Sequence, residues 1–85
     1  MKVTYTRTAL KSLRKAPAHK AETILKGMEK VAEDPFAKDN AVKTLQGVKN
    51  GFRKRFGDWR VLYTVDTDVK ILEVFEIGTR GEVYK

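Results

Sequence analysis

The chain has 85 residues, 41% of them hydrophobic and including one Trp, three Tyr and four Phe, enough for one small core and too much for a disordered tail. It carries 18 Lys and Arg against 11 Asp and Glu, a net charge of +7, which points to polyanionic partners: nucleic acid first, then an anionic membrane or an acidic protein. Cysteine is absent, excluding a disulfide framework and Cys-based zinc spacings, and no apolar run has the length of a secretory core or a membrane span. The expectation is one soluble, intracellular domain over residues 1–85.

Lys2–Thr6 alternates, with Val3 and Tyr5 on one side, and reads as a first strand. Thr8 is a candidate cap for a helix whose apolar positions Ala9, Leu10 and Leu13 recur at helical spacing. Pro17 breaks or restarts that helix. A second helix carries the stripe Ala21, Ile24, Leu25, Met28, Val31 and Ala32. Asp34-Pro35 ends it, and Phe36 is expected to fold back on the core. Residues 37–50 are mixed and polar, with Val42, Leu45 and Val48 as anchors, and Asn50-Gly51 is a turn.

Residues 51–65 then read as two strands joined by Gly57-Asp58, the composition of a two-residue hairpin loop. That loop sets the register: Phe56 opposite Trp59, Arg55 opposite Arg60, Lys54 opposite Val61, Arg53 opposite Leu62 and Phe52 opposite Tyr63. By alternation, Phe52, Phe56, Trp59, Val61 and Tyr63 share one face with Lys54, while Arg53, Arg55 and Arg60 share the other. Like charges placed directly opposite are destabilising. A phosphate between Arg55 and Arg60 would relieve them, because guanidinium forks match phosphate oxygens; a solvated basic face is the plainer alternative. Between Lys43 and Arg60 the chain holds Lys43, Lys49, Arg53, Lys54, Arg55 and Arg60 against Asp58 alone, five of the seven net charges. The remainder is closer to balance.

Asp66–Asp68 turns the chain, and Val69–Ile77 reads as a last strand with Val69, Ile71, Phe75 and Ile77 on one face and Leu72 and Val74 on the other. Gly78-Thr79-Arg80-Gly81 follows as a loop. The pattern is α+β: an N-terminal strand and two-helix hairpin packed on one face of a mainly antiparallel four-stranded sheet, the other face basic.

Little conventional catalytic chemistry is on offer. His19 is the sole histidine and Ser12 the sole serine, neither with a partner, and Asp66 and Asp68 suit turn chemistry better than acid–base work. No Gly-rich phosphate loop precedes a helix, and one histidine without cysteine makes a transition-metal site unexpected. What remains is Arg53, Arg55, Arg60 and Arg80 with Tyr84, a set able to stabilise charge on a phosphoryl group and to stack on a base.

With Leu45-Gln46-Gly47, Gly51–Phe56, Trp59-Arg60-Val61-Leu62-Tyr63 and Ile77-Gly78-Thr79-Arg80 before Glu82-Val83-Tyr84, the chain resembles, over its whole length, the RelE toxins of the RelE/ParE superfamily. These are the toxin halves of type II toxin–antitoxin pairs. The resemblance implies a cytoplasmic, ribosome-dependent endoribonuclease that cuts messenger RNA in the A site by metal-free attack of the substrate's 2′-hydroxyl. It implies catalytic roles for Arg55, Arg60, Arg80 and Tyr84: Arg60 on the scissile phosphate, Arg80 on the transition state and leaving group, and Tyr84 stacked on or orienting the nucleotide. Arg53, Lys54, Lys49 and Lys43 would bind RNA. No cofactor or metal is implied. The partners would be a cognate antitoxin, forming a complex of higher order, together with ribosome and messenger; no membrane is implied. Arg53 and Arg55 stand where the type member has lysines, and arginine does not give up its proton, so the general base is left open. A ParE-like inhibitor of DNA gyrase without nuclease activity, or an inert relative binding RNA or antitoxin, are the alternative readings of the same fold.

Overall fold

A computed structural model describes residues 1–79. Strand β1 spans Lys2–Tyr5, helix α1 Arg7–Lys15 and helix α2 Ala18–Glu33, followed by β2 Val42–Thr44, β3 Gly51–Phe56, β4 Trp59–Asp66 and β5 Ile71–Thr79. The strands form one sheet in the order β1-β5-β4-β3-β2, with β1 parallel to β5 and every other pair antiparallel. The α+β arrangement is as expected, but the sheet has five strands rather than four. The additional edge strand, β2, is only three residues long and polar apart from Val42, too short to show a period of two.

Thr6, not Thr8, caps α1. Its hydroxyl oxygen accepts from the Ala9 amide at 3.2 Å and its O–H donates to the Phe75 carbonyl at 3.1 Å, so one side chain starts the helix and ties it to β5. Ala16 then takes an extended conformation ahead of Pro17, as the residue before proline should. The Pro17 carbonyl accepts from the Lys20 and Ala21 amides, each at 2.9 Å, and α2 begins at once.

The core lies between the helices and one face of the sheet. Ala9 and Leu13 from α1 and Ile24, Met28 and Ala32 from α2 meet Val61, Tyr63, Val65, Leu72, Val74 and Ile77. Phe52, Phe56 and Trp59 pack at its margin. Gly27 makes room for Phe56: a Cβ there would lie 2.3 Å from the ring. Leu10 and Leu25, expected on the apolar stripes, stay outside the core and are 37% and 40% exposed. Phe36 does not fold into the core either; it is 62% exposed, and its ring meets that of Phe52 edge-on at 6.1 Å.

Strand β5 departs from the expected alternation. Leu62 pairs with Glu76 but Tyr63 pairs with Val74, leaving Phe75 as an extra residue, a β-bulge. The bulge shifts the phase, so Ile77 joins Leu72 and Val74 on the core face rather than opposing them. Val69 lies outside the strand in the turn before it, where Lys70 adopts a left-handed conformation with φ 58° and the Asp66 carboxylate accepts from the Asp68 and Val69 amides. At the other end Gly78 and Thr79, expected in a loop, remain in the strand.

Candidate functional site

The hairpin register follows from its loop. Gly57 has φ +62° and Asp58 does not have a positive φ, the pattern of a type II′ turn with Gly first. Phe56 then faces Trp59, Arg55 faces Arg60, Lys54 faces Val61, Arg53 faces Leu62 and Phe52 faces Tyr63. Each pair is the one that the sequence predicted.

This register puts Arg53, Arg55 and Arg60 on the face turned away from the helices. Strand β2 adds Lys43, directly opposite Arg53. With Asn40 and Ala41 these four cations line a shallow recess of about 90 Å³. Among the described residues no carboxylate lines it, and neither Arg55 nor Arg60 makes an ion pair. The Arg60 guanidinium donates to the Gly57 and Trp59 carbonyls at 3.1 and 3.3 Å, which holds it at the turn end of the hairpin. Its cross-strand neighbour on β5 is Gly78, which brings no side chain to that face. Chemically, the recess can grip an oxyanion through several charge-assisted forks at once.

Lys54 follows the other alternation. It crosses to the helix side, where its ammonium pairs with the Asp39 carboxylate and lies 5.4 Å from the Phe56 ring centroid. The second carboxylate oxygen of Asp39 accepts from the Ala41 amide at 2.8 Å, and the Ala41 carbonyl accepts from the Arg55 amide at 3.0 Å. The hydrogen bond from Lys54, then that from the Ala41 amide, holds the Asp39 carboxyl below its ordinary range. Asp39 therefore ties the wall formed by Asn40 and Ala41 to the strand that carries Arg55. Neither Asp39 nor Asn40 stood out in the sequence; the usable signal was the Asp-Asn pair entering an extended segment, where Asx side chains bond backbone two residues on.

Lys49 lies elsewhere, in a separate recess with Asn50 and the β4–β5 turn. Arg80 and Tyr84 lie outside the described residues. Tyr63, on the core face, is fully buried and its hydroxyl has no hydrogen-bond partner among the described residues. Burial first, and the Asp39 charge second, push its phenol up to about 12, so it stays protonated at neutral pH and is no base. Among the described residues no three His, Asp or Glu side chains gather as metal ligands would. No helix there is long and apolar enough to cross a membrane.

A family model described as the ParE toxin of the type II toxin–antitoxin system, parDE, matches residues 3–84. Among solved structures, the RelE–RelB complex of the archaeon Pyrococcus horikoshii is similar with a TM-score of 0.80 and 24% identity, over 96% of this chain and 97% of that one. The isolated Escherichia coli RelE toxin gives a TM-score of 0.78 and 25% identity over 98% and 89%. A YoeB/ParE toxin from Agrobacterium tumefaciens gives 0.78 and 21% over 94% and 99%. No curated protein sequence matches the chain.

Proposed function

Because the chain belongs to the ParE toxin family of type II toxin–antitoxin systems, within the RelE/ParE superfamily, we propose that this toxin is a ribosome-dependent endoribonuclease acting on messenger RNA in the A site. The observation that carries the reading is the pairing of Arg55 with Arg60 in a recess that no acid lines among the described residues and that Arg53 and Lys43 complete. Cleavage forms a bond from the substrate's 2′-oxygen to phosphorus and breaks the bond to the 5′-oxygen of the next nucleotide. The 2′-hydroxyl loses its proton and the leaving oxygen gains one. Negative charge builds on the non-bridging oxygens in between, and preorganised guanidinium groups stabilise charge that develops there. Arg60, anchored by the hairpin carbonyls, holds the phosphate, and Arg55 meets the developing charge. Arg80 and Tyr84 would act on the leaving group and the nucleotide. The arginines cannot serve as the base, so the 2′-hydroxyl proton passes to another group, one belonging to the ribosome or to solvent.

The partner would be an antitoxin, as in the RelE–RelB complexes to which the fold is similar, in an assembly of higher order. Charge complementarity favours an acidic segment over the arginine face. A ribosomal target places the protein in the cytoplasm. The second reading is gyrase inhibition, favoured by one specific observation: the matching family model is that of ParE rather than RelE.

Inducible expression with primer-extension mapping of messenger 5′ ends separates the two. New ends inside translated codons, missing in Arg60→Ala while the variant still folds, are the expected result. Growth arrest with DNA-damage signalling and no such ends would replace the nuclease by the gyrase inhibitor.

A further inference from the structure

The two net charges that remain outside residues 43–60 are unevenly placed. Residues 1–21 contain Lys2, Arg7, Lys11, Arg14, Lys15 and Lys20 and no acid at all; the first is Glu22. Four of these cations, Arg7, Lys11, Arg14 and Lys15, lie on α1, and all four are exposed. At 3.6 residues per turn they occupy an arc of about 100° centred opposite Ala9 and Leu13, the two residues by which α1 enters the core. None makes an ion pair among the described residues. Helix geometry sets Arg7, Lys11 and Lys15 one above another, where like charges oppose folding. The helix dipole accounts for Arg14 and Lys15 in the last turn but disfavours Arg7 in the first.

We propose that the outward face of α1 is a second polyanion-binding surface, which grips an RNA backbone on the side of the molecule away from the arginine recess. The column Arg7, Lys11, Lys15 rises about 6 Å per step, comparable with the spacing between successive phosphates of a nucleic-acid strand. A protein partner would instead want an apolar, charge-poor centre to its footprint, and this face offers only Leu10, 37% exposed. The sheet separates the two basic faces in a molecule 33 × 25 × 24 Å. The toxin can therefore sit between two RNA segments and contact both. This second surface does not depend on whether the recess cleaves.

The test is a salt titration of binding to a short fluorescein-labelled RNA duplex, followed by anisotropy without ribosomes. The α1 variant combines Arg7→Gln, Lys11→Gln, Arg14→Gln and Lys15→Gln, which keeps helix propensity; the recess variant combines Arg55→Gln and Arg60→Gln. Each lost phosphate contact removes about 0.7–0.9 from the slope of log K against log salt. The α1 variant is expected to lose about 3 from that slope, with the recess variant retaining this share. The half-variants Arg7→Gln/Lys11→Gln and Arg14→Gln/Lys15→Gln should each lose about half as much, which protects the test against misfolding of the full variant. An unchanged slope in the α1 variants would overturn the proposal. So would polyglutamate displacing the duplex from the recess variant as well as unlabelled RNA does, because the face would then read an acidic chain. Absence of codon-positioned cuts in cells would sink the nuclease and leave this result untouched.

Discussion

Arg55 and Arg60 stand directly opposite each other on neighbouring strands, an arrangement that costs stability where no anion lies between them. Function and stability should therefore separate at this pair. Arg55→Gln removes the repulsion and keeps a long polar side chain. It is expected to raise folding stability by roughly 0.2–1 kcal/mol and the melting temperature by a few degrees, while weakening RNA binding. Thermal melts beside RNA titrations measure both. A variant that melts lower than wild type would mean that Arg55 has a stabilising role and that the pair is not under strain. Arg60 differs from Arg55 because its guanidinium is already held by the Gly57 and Trp59 carbonyls. Its replacement therefore removes bonds as well as repulsion, and no comparable gain is expected.

At the scale of elements, the Asp39 carboxylate ties the segment joining α2 to β2 to strand β3. Asp39 accepts from Lys54 and from the Ala41 amide, and its depressed folded value has a direct consequence for acid stability. A carboxyl whose pKa is lower folded than unfolded contributes stability that is complete above its unfolded value, near pH 4, and is lost as the pH falls through the folded one. Wild type should accordingly be more stable than Asp39→Asn at neutral pH, and the difference should shrink below about pH 4. Denaturant titrations across that range test it, and a constant difference would deny the carboxylate any electrostatic role. The hairpin was legible in the sequence because a two-residue Gly57-Asp58 loop permits one register, and that register carries Arg53, Arg55 and Arg60 to one face. The bulge at Phe75 was not. Leu72-Glu73-Val74 alternates cleanly, and nothing in the next residues marks a one-residue slip that depends on pairing with β4. Strand β2 was hidden too, because its place is set by ladder bonds to β3 rather than by its own three residues.

For the whole molecule, two cationic faces on opposite sides of one sheet set the balance between solubility, partner binding and stability. Among the described residues only Lys26–Glu22 and Lys54–Asp39 form ion pairs, and the first is an exposed pair of the kind that contributes little. Against these stand like charges side by side: Arg55 opposite Arg60, and Arg7, Lys11 and Lys15 stacked along α1. Added salt screens exposed charges over distances of roughly 10 Å at 0.1 M, and here it mainly screens like against like. Sodium chloride raised from low to moderate concentration should therefore increase the melting temperature of the free protein. The increase should be smaller in the α1 variant, and smaller again when Arg55 is also replaced by Gln. Differential scanning fluorimetry over a chloride series reads this directly. A melting temperature that falls with salt would show that attractions dominate the fold, and the case for two faces awaiting polyanions would lose its energetic basis. RNA or an acidic partner should act in the same direction as salt but at far lower concentration, because a ligand that binds only the folded state stabilises it by mass action.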